Sequence, residues 1–214
     1  MSEKPSSLSN ALCPANYQTN NQTNSHATTF YLWRHPKPIN ATGRCIGHTD
    51  LLVDKRKLRR LANHIHAFTR RHRLPKVIWL SSLQRSRGVG DILAKRGFVC
   101  HISTQLCEID FGDWDGRPWA AIAKAEIDAW CANFADFTPN SGENVQQLYQ
   151  RVRLWLTQQS ESQTQPTSVL VVGHAGWITA ACMVWANQGV PQQPSDWPAP
   201  PKYRQLKVLS PRPA

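Results

Sequence analysis

Two histidines follow apolar runs that are typical of buried strands. His35, with Arg34 before it, ends the run Thr28 to Trp33, and His174 follows Ser168 to Gly173 just before a helical segment. In open α/β sheets, ligands bind outside the carboxyl ends of the strands. A helix beginning beside His174 would also offer free backbone N–H groups to an anion. One such histidine is usually structural, but two, one of them beside an arginine, indicate a site for an anionic ligand.

A third strand end supplies another cation. Ser81-Ser82-Leu83-Gln84-Arg85 follows the apolar run 77–80, so Arg85 can point its guanidinium into the same crevice. The planar fork of arginine matches phosphate oxygens bidentately, which lysine cannot do. Taken alone, Arg85 would be an ordinary surface residue, and the nearby Arg87 keeps the assignment open.

An acidic segment interrupts a basic chain. Residues 107–116 carry four carboxylates within eight positions: Glu108, Asp110, Asp113 and Asp115. A carboxyl group held among apolar and aromatic residues can keep its proton and act as a general acid. The other interpretation is a solvated turn on which Phe111 and Trp114 pack.

These groups need a sheet to bring them together. Strands are predicted at 28–35, 77–82, 98–102, 168–173 and 206–209, and helices at 54–73, 85–96, 118–134, 143–160 and 178–187. In 54–73, the residues Leu58, Leu61, Ile65 and Phe68 recur at helical spacing, and Asp54 can cap the start. Alternating strands and helices predict an α/β fold, a three-layer α/β/α sandwich with a mainly parallel central sheet.

The chain of 214 residues suits one domain with short extensions. Residues 1–27 are rich in Ser, Asn, Thr and Gln and are predicted to form a flexible polar tail. Residues 28–209 form the predicted domain, and 210–214 a C-terminal tail. The six cysteines lack a C-x-x-C pair, and the N-terminus lacks the apolar stretch of a signal peptide, so we expect reduced thiols and a cytoplasmic protein.

The basic charge of the chain narrows the classes of partner that it can bind. The formal net charge is +11, from 25 Lys and Arg against 14 Asp and Glu, which favours nucleic acid, acidic membranes or phosphorylated small molecules. Because no apolar run approaches the roughly 18–20 residues that span a bilayer, we expect no membrane insertion.

Four motifs occur in order at predicted strand ends: Arg34-His35-Pro36, Ser82-Leu83-Gln84-Arg85, Glu108 to Gly116, and Gly173-His174-Ala175-Gly176. Together they resemble the histidine phosphatase (phosphoglycerate-mutase-like) superfamily across residues 28–209. The Arg-His-Pro start and the segments 43–50 and 111–116 look most like its α-ribazole phosphatase members.

The resemblance implies a role for each group. His35 would be the nucleophile that becomes phosphohistidine, Arg34, Arg85 and His174 would hold the phosphoryl oxygens, and Glu108 would protonate the leaving alcohol. No metal or cofactor is then expected, because guanidiniums and an imidazole stabilise the developing charge. Guanidiniums near His35 should lower its pKa and keep it neutral.

The implied activity is a phosphomonoesterase acting on a nucleotide-like small molecule such as α-ribazole 5′-phosphate, in cobalamin synthesis. A phosphatase of other small phosphoesters or of phosphoproteins is the alternative. The compact Glu108 segment, without a mutase-type insertion, favours a hydrolase. Three departures bear on the substrate: Pro36 where members commonly have Gly, Asn144 in a Gly-Glu-Ser pattern, and 86–90 in place of a Thr-Ala-rich helix.

A function of another class remains open for the basic segment 54–73, which could grip nucleic-acid phosphates. A solvated helix face is the simpler interpretation, and since no nucleic-acid motif occurs, we do not expect nucleic acid as a partner.

His64 and His66 lie at i and i+2, which face different directions on a helix, so they predict no metal site. Trp114 and Trp119 are the best candidates among the tryptophans for contact with a ligand. The oligomeric state is left open.

Overall fold

The computed structural model describes residues 28–161, 165 and 167–211. The predicted tail 1–27 and the last three residues of the predicted tail 210–214 lie outside this part of the chain. The strands are β1 (Thr28–Arg34), β2 (Val77–Leu80), β3 (Val99–Ile102), β4 (Thr167–Gly173) and β5 (Leu206–Leu209). The α-helices are α1 (Lys55–Arg71), α2 (Gln84–Ala94), α3 (Lys124–Ala132), α4 (Val145–Glu161) and α5 (Ala175–Trp185).

The five strands form one sheet in the order β3-β2-β4-β1-β5. The first four are parallel, and β5 runs antiparallel to β1 at the edge. The register pairs Arg34 with Gly173, and the His35 backbone N–H donates to the Gly173 carbonyl at 3.0 Å. The two histidine motifs therefore follow the carboxyl ends of two neighbouring strands. The strand directions confirm the predicted mainly parallel sheet.

Each face of the sheet has its own core, because alternate residues of a strand point to opposite faces. Phe30 and Leu32 of β1 pack with α4 and α5, whereas Trp33 packs with α1 and α2. In α1, Asp54 accepts a hydrogen bond from the Arg56 N–H at 2.7 Å, which confirms the predicted cap. The three-layer sandwich is therefore as expected.

Two predicted helices differ from the structure. The segment 118–134 is a 3-10 turn at Trp119–Ala121 followed by α3. Its break is stabilised by Glu126, whose carboxylate accepts from the Ala123 N–H and from the Trp114 indole, both at 3.2 Å. Helix α5 begins three residues before the predicted Ile178, because a carboxylate described below satisfies its first N–H groups.

Within the described ranges, no helix has the length and apolar character needed to cross a membrane. The cationic side chains Lys55, Arg56, Arg59 and Arg60 lie exposed on α1, opposite its buried residues Leu61 and Ile65.

Candidate active site

The five predicted site residues meet at the carboxyl edge of the sheet. Arg34, His35, Arg85 and Glu108 line a cavity of about 430 Å³. His174 lies directly behind this lining, with its ring centroid 4.9 Å from that of His35. All but Arg34 are buried, with His174 fully inaccessible and Glu108 only 7% exposed. Parallel strand ends therefore gather groups that are up to 140 residues apart in the chain.

The hydrogen bonding of His35 defines its reactive atom. Its Nδ1 lies 2.7 Å from the Pro36 carbonyl, and because a carbonyl can only accept, Nδ1 carries the proton. The lone pair of the neutral ring is then on Nε2. Burial lowers the pKa of His35 well below 6.5, and the charges of Arg85 and Arg34 lower it further, while the Pro36 carbonyl acts in the opposite direction. The guanidiniums therefore act in the expected direction, although burial is the larger cause, and the neutral state of His35 stays a prediction.

His174 has both ring nitrogens engaged within the protein. Its Nδ1 accepts from Arg85 Nε at 3.1 Å, so the neutral ring carries its proton on Nε2, which donates to the Ser81 hydroxyl at 2.6 Å. Burial, followed by the Arg85 charge, lowers the pKa of His174 well below 6.5. In this structure His174 orients Arg85, and its contact with a phosphoryl oxygen stays a prediction. Nothing in the sequence pattern singled out Ser81 as its partner.

Arg85 is held by three of its five N–H groups. Besides the bond from Nε to His174, Nη1 donates to the Thr49 carbonyl at 2.8 Å and Nη2 donates to the Gly47 carbonyl. One N–H on each terminal nitrogen is left for a ligand. Arg87 is exposed and does not line the cavity, which resolves the choice between the two arginines in favour of Arg85.

The loop that holds Arg85 is itself built on Asp115. The Asp115 carboxylate accepts from the backbone N–H groups of Gly47 at 3.1 Å, Thr49 at 2.9 Å and His48, and from the Thr49 hydroxyl. A Cβ at Gly47 would lie 2.2 Å from the Ile109 carbonyl oxygen, so only glycine fits there. Asp115 therefore acts on the site through the loop, without lining the cavity.

Arg34 stands on the opposite side of His35. Its Nη1 donates to the Pro201 carbonyl at 2.8 Å, and its guanidinium carbon lies 3.8 Å from the centroid of the Tyr203 ring. Its Nε is buried and has no hydrogen-bond partner among the described residues. A buried, unpartnered N–H on a cavity-lining guanidinium is suited to an oxyanion.

Glu108 is seated on the N-terminus of α5. Its Oε1 accepts from the Ile109 and Trp177 N–H groups, both at 3.1 Å, and its Oε2 accepts from the Gly176 N–H at 3.0 Å. A Cβ at Gly176 would lie 2.6 Å from Oε1, so the glycine of the Gly-His-Ala-Gly motif makes room for this carboxylate. Oε1 accepts two bonds, whereas Oε2 keeps a lone pair that can carry a proton.

The cavity is also lined by an aromatic wall, formed by Phe111, Trp119, Trp130, Phe134, Trp197 and Tyr203. Trp119 and Trp130 are parallel within 7° at 6.2 Å, and Phe111 stands nearly perpendicular to both. Trp119 lines the cavity, and its expected contact with a ligand stays a prediction. Trp114 instead is 1% exposed in the core and does not line it. Phe111 lies in the segment 111–116 that carried the family resemblance, whereas Trp130, Phe134, Trp197 and Tyr203 had no distinguishing sequence signal.

The departures near residue 143 have a structural meaning. Glu143 pairs with Arg151 at 2.6 Å and does not line the cavity, to which α4 contributes Val145 and Leu148.

Among the described residues, no group of three or more His, Cys, Asp or Glu is placed to hold a metal ion.

The fold is that of a phosphoglycerate-mutase-like α/β protein, and the five predicted site residues lie at the carboxyl ends of its parallel strands. The family model of the histidine phosphatase superfamily (branch 1) matches residues 30–201, and the chain belongs to that superfamily. The adenosylcobalamin/alpha-ribazole phosphatases of Escherichia coli K12 and Salmonella typhimurium LT2 are 28% and 26% identical to it over 155 residues, covering 70% of this chain and 75% of each relative. These findings support a phosphatase.

Solved structures share the fold. The alpha-ribazole phosphatase from Shigella flexneri has a TM-score of 0.68 at 24% identity, covering 84% of this chain and 89% of its own. A mycobacterial glucosyl-3-phosphoglycerate phosphatase has a TM-score of 0.71 at 23% identity, covering 86% of this chain and 90% of its own. These likenesses confirm the predicted fold class.

Proposed function

We propose that this chain is a phosphomonoesterase that acts through a phosphohistidine on His35. The observation that carries the proposal is the setting of His35: a buried ring with Nδ1 2.7 Å from the Pro36 carbonyl and a lowered pKa, in a cavity lined by the guanidiniums of Arg34 and Arg85. A neutral imidazole is the nucleophilic form, and the two cations can balance the phosphoryl charge.

The reaction has two displacements. In the first, His35 Nε2 bonds to phosphorus while the bond from phosphorus to the leaving oxygen breaks, and Glu108 Oε2 gives its proton to that oxygen. In the second, water attacks phosphorus, Glu108 takes the proton from water, and the bond to Nε2 breaks to release phosphate. Arg34 and Arg85 hold the phosphoryl oxygens in both steps, and His174 keeps Arg85 aligned.

Trapping the intermediate tests this proposal. Enzyme denatured in alkaline detergent should carry acid-labile, base-stable phosphate after mixing with a phosphomonoester, and His35→Ala should neither turn over nor carry it. His64→Ala, an exposed histidine on α1, is the matched control and should retain both. Near-native turnover by His35→Ala would contradict the mechanism.

We further propose that the reaction needs no metal, since Arg34 and Arg85 supply the cationic charge at the phosphoryl group. Activity should survive exhaustive EDTA treatment, and orthovanadate should inhibit as a five-coordinate mimic of the transferring group. Loss of activity in EDTA that Mg²⁺ or Zn²⁺ restores would contradict this.

For the substrate, we propose a nucleotide-like phosphoester such as α-ribazole 5′-phosphate. Two observations support it: the relatives named above, and the aromatic wall of the same cavity, on which a flat base can stack. The cavity volume lies within the usual range for small ligands. Phosphatase activity on other small phosphoesters or phosphoproteins is the alternative.

A substrate panel separates these possibilities. The kcat/KM should be at least about fivefold higher for α-ribazole 5′-phosphate than for ribose 5-phosphate, which lacks the ring, given ~1–3 kcal/mol for a stacked base. Glycerol phosphate and phosphoserine complete the panel. Equal values for the two ribose esters would favour the alternative.

A further inference from the structure

One guanidinium from α4 holds the backbone that leads into Glu108. Arg151 Nη1 donates to the carbonyls of Gln105 at 2.7 Å and Cys107 at 2.9 Å, and its Nη2 donates to the Glu108 carbonyl at 3.4 Å. Three carbonyls within four positions thus converge on one side chain. Such convergence fixes the path of an irregular segment that lacks a strand ladder of its own.

Arg151 is itself fixed by a carboxylate. Glu143 Oε1 accepts from Arg151 Nε at 2.9 Å, and Oε2 accepts from Nη2 at 2.6 Å, with the two side chains only 15% and 21% exposed. The Glu143 N–H also donates to the Asp110 carbonyl at 2.7 Å. The pair therefore grips the acidic segment on both sides of Glu108.

The arrangement depends on the shape of arginine. A guanidinium presents N–H groups on three nitrogens in one plane, so it can bind a carboxylate along one edge and carbonyls along the other. Lysine keeps the charge but offers one nitrogen. Removing the cation altogether would leave Glu143 as a largely buried, unpaired charge, which is strongly destabilising.

Arg151 does not line the main cavity, so it does not contact a substrate there. The Glu108 carbonyl also contacts His48 Nε2 at 2.9 Å, and the ring of His48 is 3.6 Å from Asp110. His48 is about half exposed, whereas Arg151 is mostly enclosed. Arg151 is therefore the more rigid support.

We propose that Arg151 is a positioning residue for proton transfer: together with Glu143, it holds the Glu108 backbone so that Oε2 reaches the leaving oxygen. This inference rests on the proposed role of Glu108 as general acid. Its consequence is specific, because an acid matters most when the leaving oxygen is a strong base and little when the leaving group departs readily as an anion.

The experiment compares an alkyl phosphate with p-nitrophenyl phosphate. Glu108→Gln should lose ~10²–10⁴-fold in kcat/KM on the alkyl ester and far less on the aryl ester, because kcat/KM reports the first displacement, in which the leaving oxygens differ. Arg151→Lys should show the same split, with a loss of roughly 10–100-fold on the alkyl ester, since about 1 Å of misplacement can cost ~10²-fold. Arg153→Lys, an exposed arginine on the same helix, is the matched control and should lose nothing.

The outcomes separate the two proposals. If Glu108→Gln shows no split, the assignment of the acid fails and the inference about Arg151 fails with it. If Glu108→Gln shows the split but Arg151→Lys loses equally on both esters, or loses nothing, the inference about Arg151 alone is overturned.

A second variant guards against misfolding of the first. Glu143→Gln keeps Arg151 but removes the anion that aligns it, and should show the same split with a smaller loss. If thermal denaturation shows that Arg151→Lys is unfolded at the assay temperature, Glu143→Gln decides. An equal loss on both esters by a folded Glu143→Gln would then overturn the inference.

Discussion

The two ends of the main cavity are built on different principles. At the phosphoryl end, His35 follows β1 and Arg85 follows β2. The His35 ring binds a backbone carbonyl, and the Arg85 guanidinium binds a backbone carbonyl and the ring of His174. At the other end, the aromatic wall comes mainly from loops and from α3, and its members meet through ring faces and edges. The sheet therefore positions the groups that would act on the phosphoryl group, and the loops and α3 form the surface that would contact the rest of the substrate.

The energetic consequence differs as well. Buried cations and imidazoles tolerate little change, since each lost bond leaves a polar atom unpaired. Aromatic contacts contribute about 0.5–1.5 kcal/mol each and are replaceable one at a time. Variants at the phosphoryl end should thus affect all substrates by one factor, whereas variants in the aromatic wall should depend on the leaving group.

The largest effect is expected for Arg85→Lys. Lysine cannot bind His174, Thr49 and a phosphoryl oxygen together, so kcat should fall by ~10²–10³-fold, the usual loss for one oxyanion donor. The fall should be the same on p-nitrophenyl phosphate and on α-ribazole 5′-phosphate. Arg87→Lys is the matched control and should match the unmodified enzyme. A loss confined to one substrate would show that Arg85 serves the leaving group.

The second-largest effect is expected from acid, which should destabilise the folded protein through the histidines of the phosphoryl end. The pKa values of His35 and His174 are lowered in the folded protein, so below pH 6.5 the unfolded chain takes up protons first and the free energy of unfolding falls. Each histidine contributes up to about 1.4 kcal/mol per pH unit until the pH reaches its folded pKa. Above about pH 7.5 the two histidines should contribute no slope.

Urea denaturation between pH 8 and pH 5 measures this. His64→Ala should leave the slope unchanged, because His64 is exposed. A free energy of unfolding that stays constant from pH 6.5 to pH 5 would contradict buried, neutral histidines at the phosphoryl end.

In the aromatic wall, Trp119→Ala should cost ~1–3 kcal/mol in transition-state binding of a ring-bearing substrate, roughly 10–100-fold in kcat/KM. The exposed indole of Trp119 continues the stack with Trp130, so its loss removes a face for the base. Glycerol phosphate should be hydrolysed at the unmodified rate. Trp119→Phe should recover part of the loss, and equal losses on both substrates would place Trp119 with the phosphoryl end.

The same contrast explains what the sequence could predict. His35, Arg85 and His174 follow apolar strands, and the parallel pairing of those strands brings them together by a general rule. Glu108 was found through its segment and the family resemblance.

The sequence did not indicate the contacts that hold the site residues in place. Asp115 binds a loop 66–68 residues before it in the chain, and Ser81 binds His174 across 93 residues. These contacts join irregular backbone, which has no periodicity for a pattern to detect. The break between Trp119–Ala121 and α3 was missed for a related reason, since it depends on the hydrogen bond from the Trp114 indole to Glu126.

The smallest effect is expected where the two ends meet, at Tyr203. Its ring lies 3.8 Å from the Arg34 guanidinium carbon and 5.7 Å from the His35 ring, and it also belongs to the aromatic wall. A cation held over an aromatic face gains about 0.5–2 kcal/mol. Tyr203→Leu should therefore lose roughly 3–30-fold in kcat/KM, while Tyr203→Phe, which keeps the ring, should lose almost nothing. Because the gain acts through Arg34, we expect one factor for glycerol phosphate and for α-ribazole 5′-phosphate. If only the ring-bearing substrate suffers, Tyr203 acts as part of the wall, and the boundary between the two ends lies between Arg34 and Tyr203.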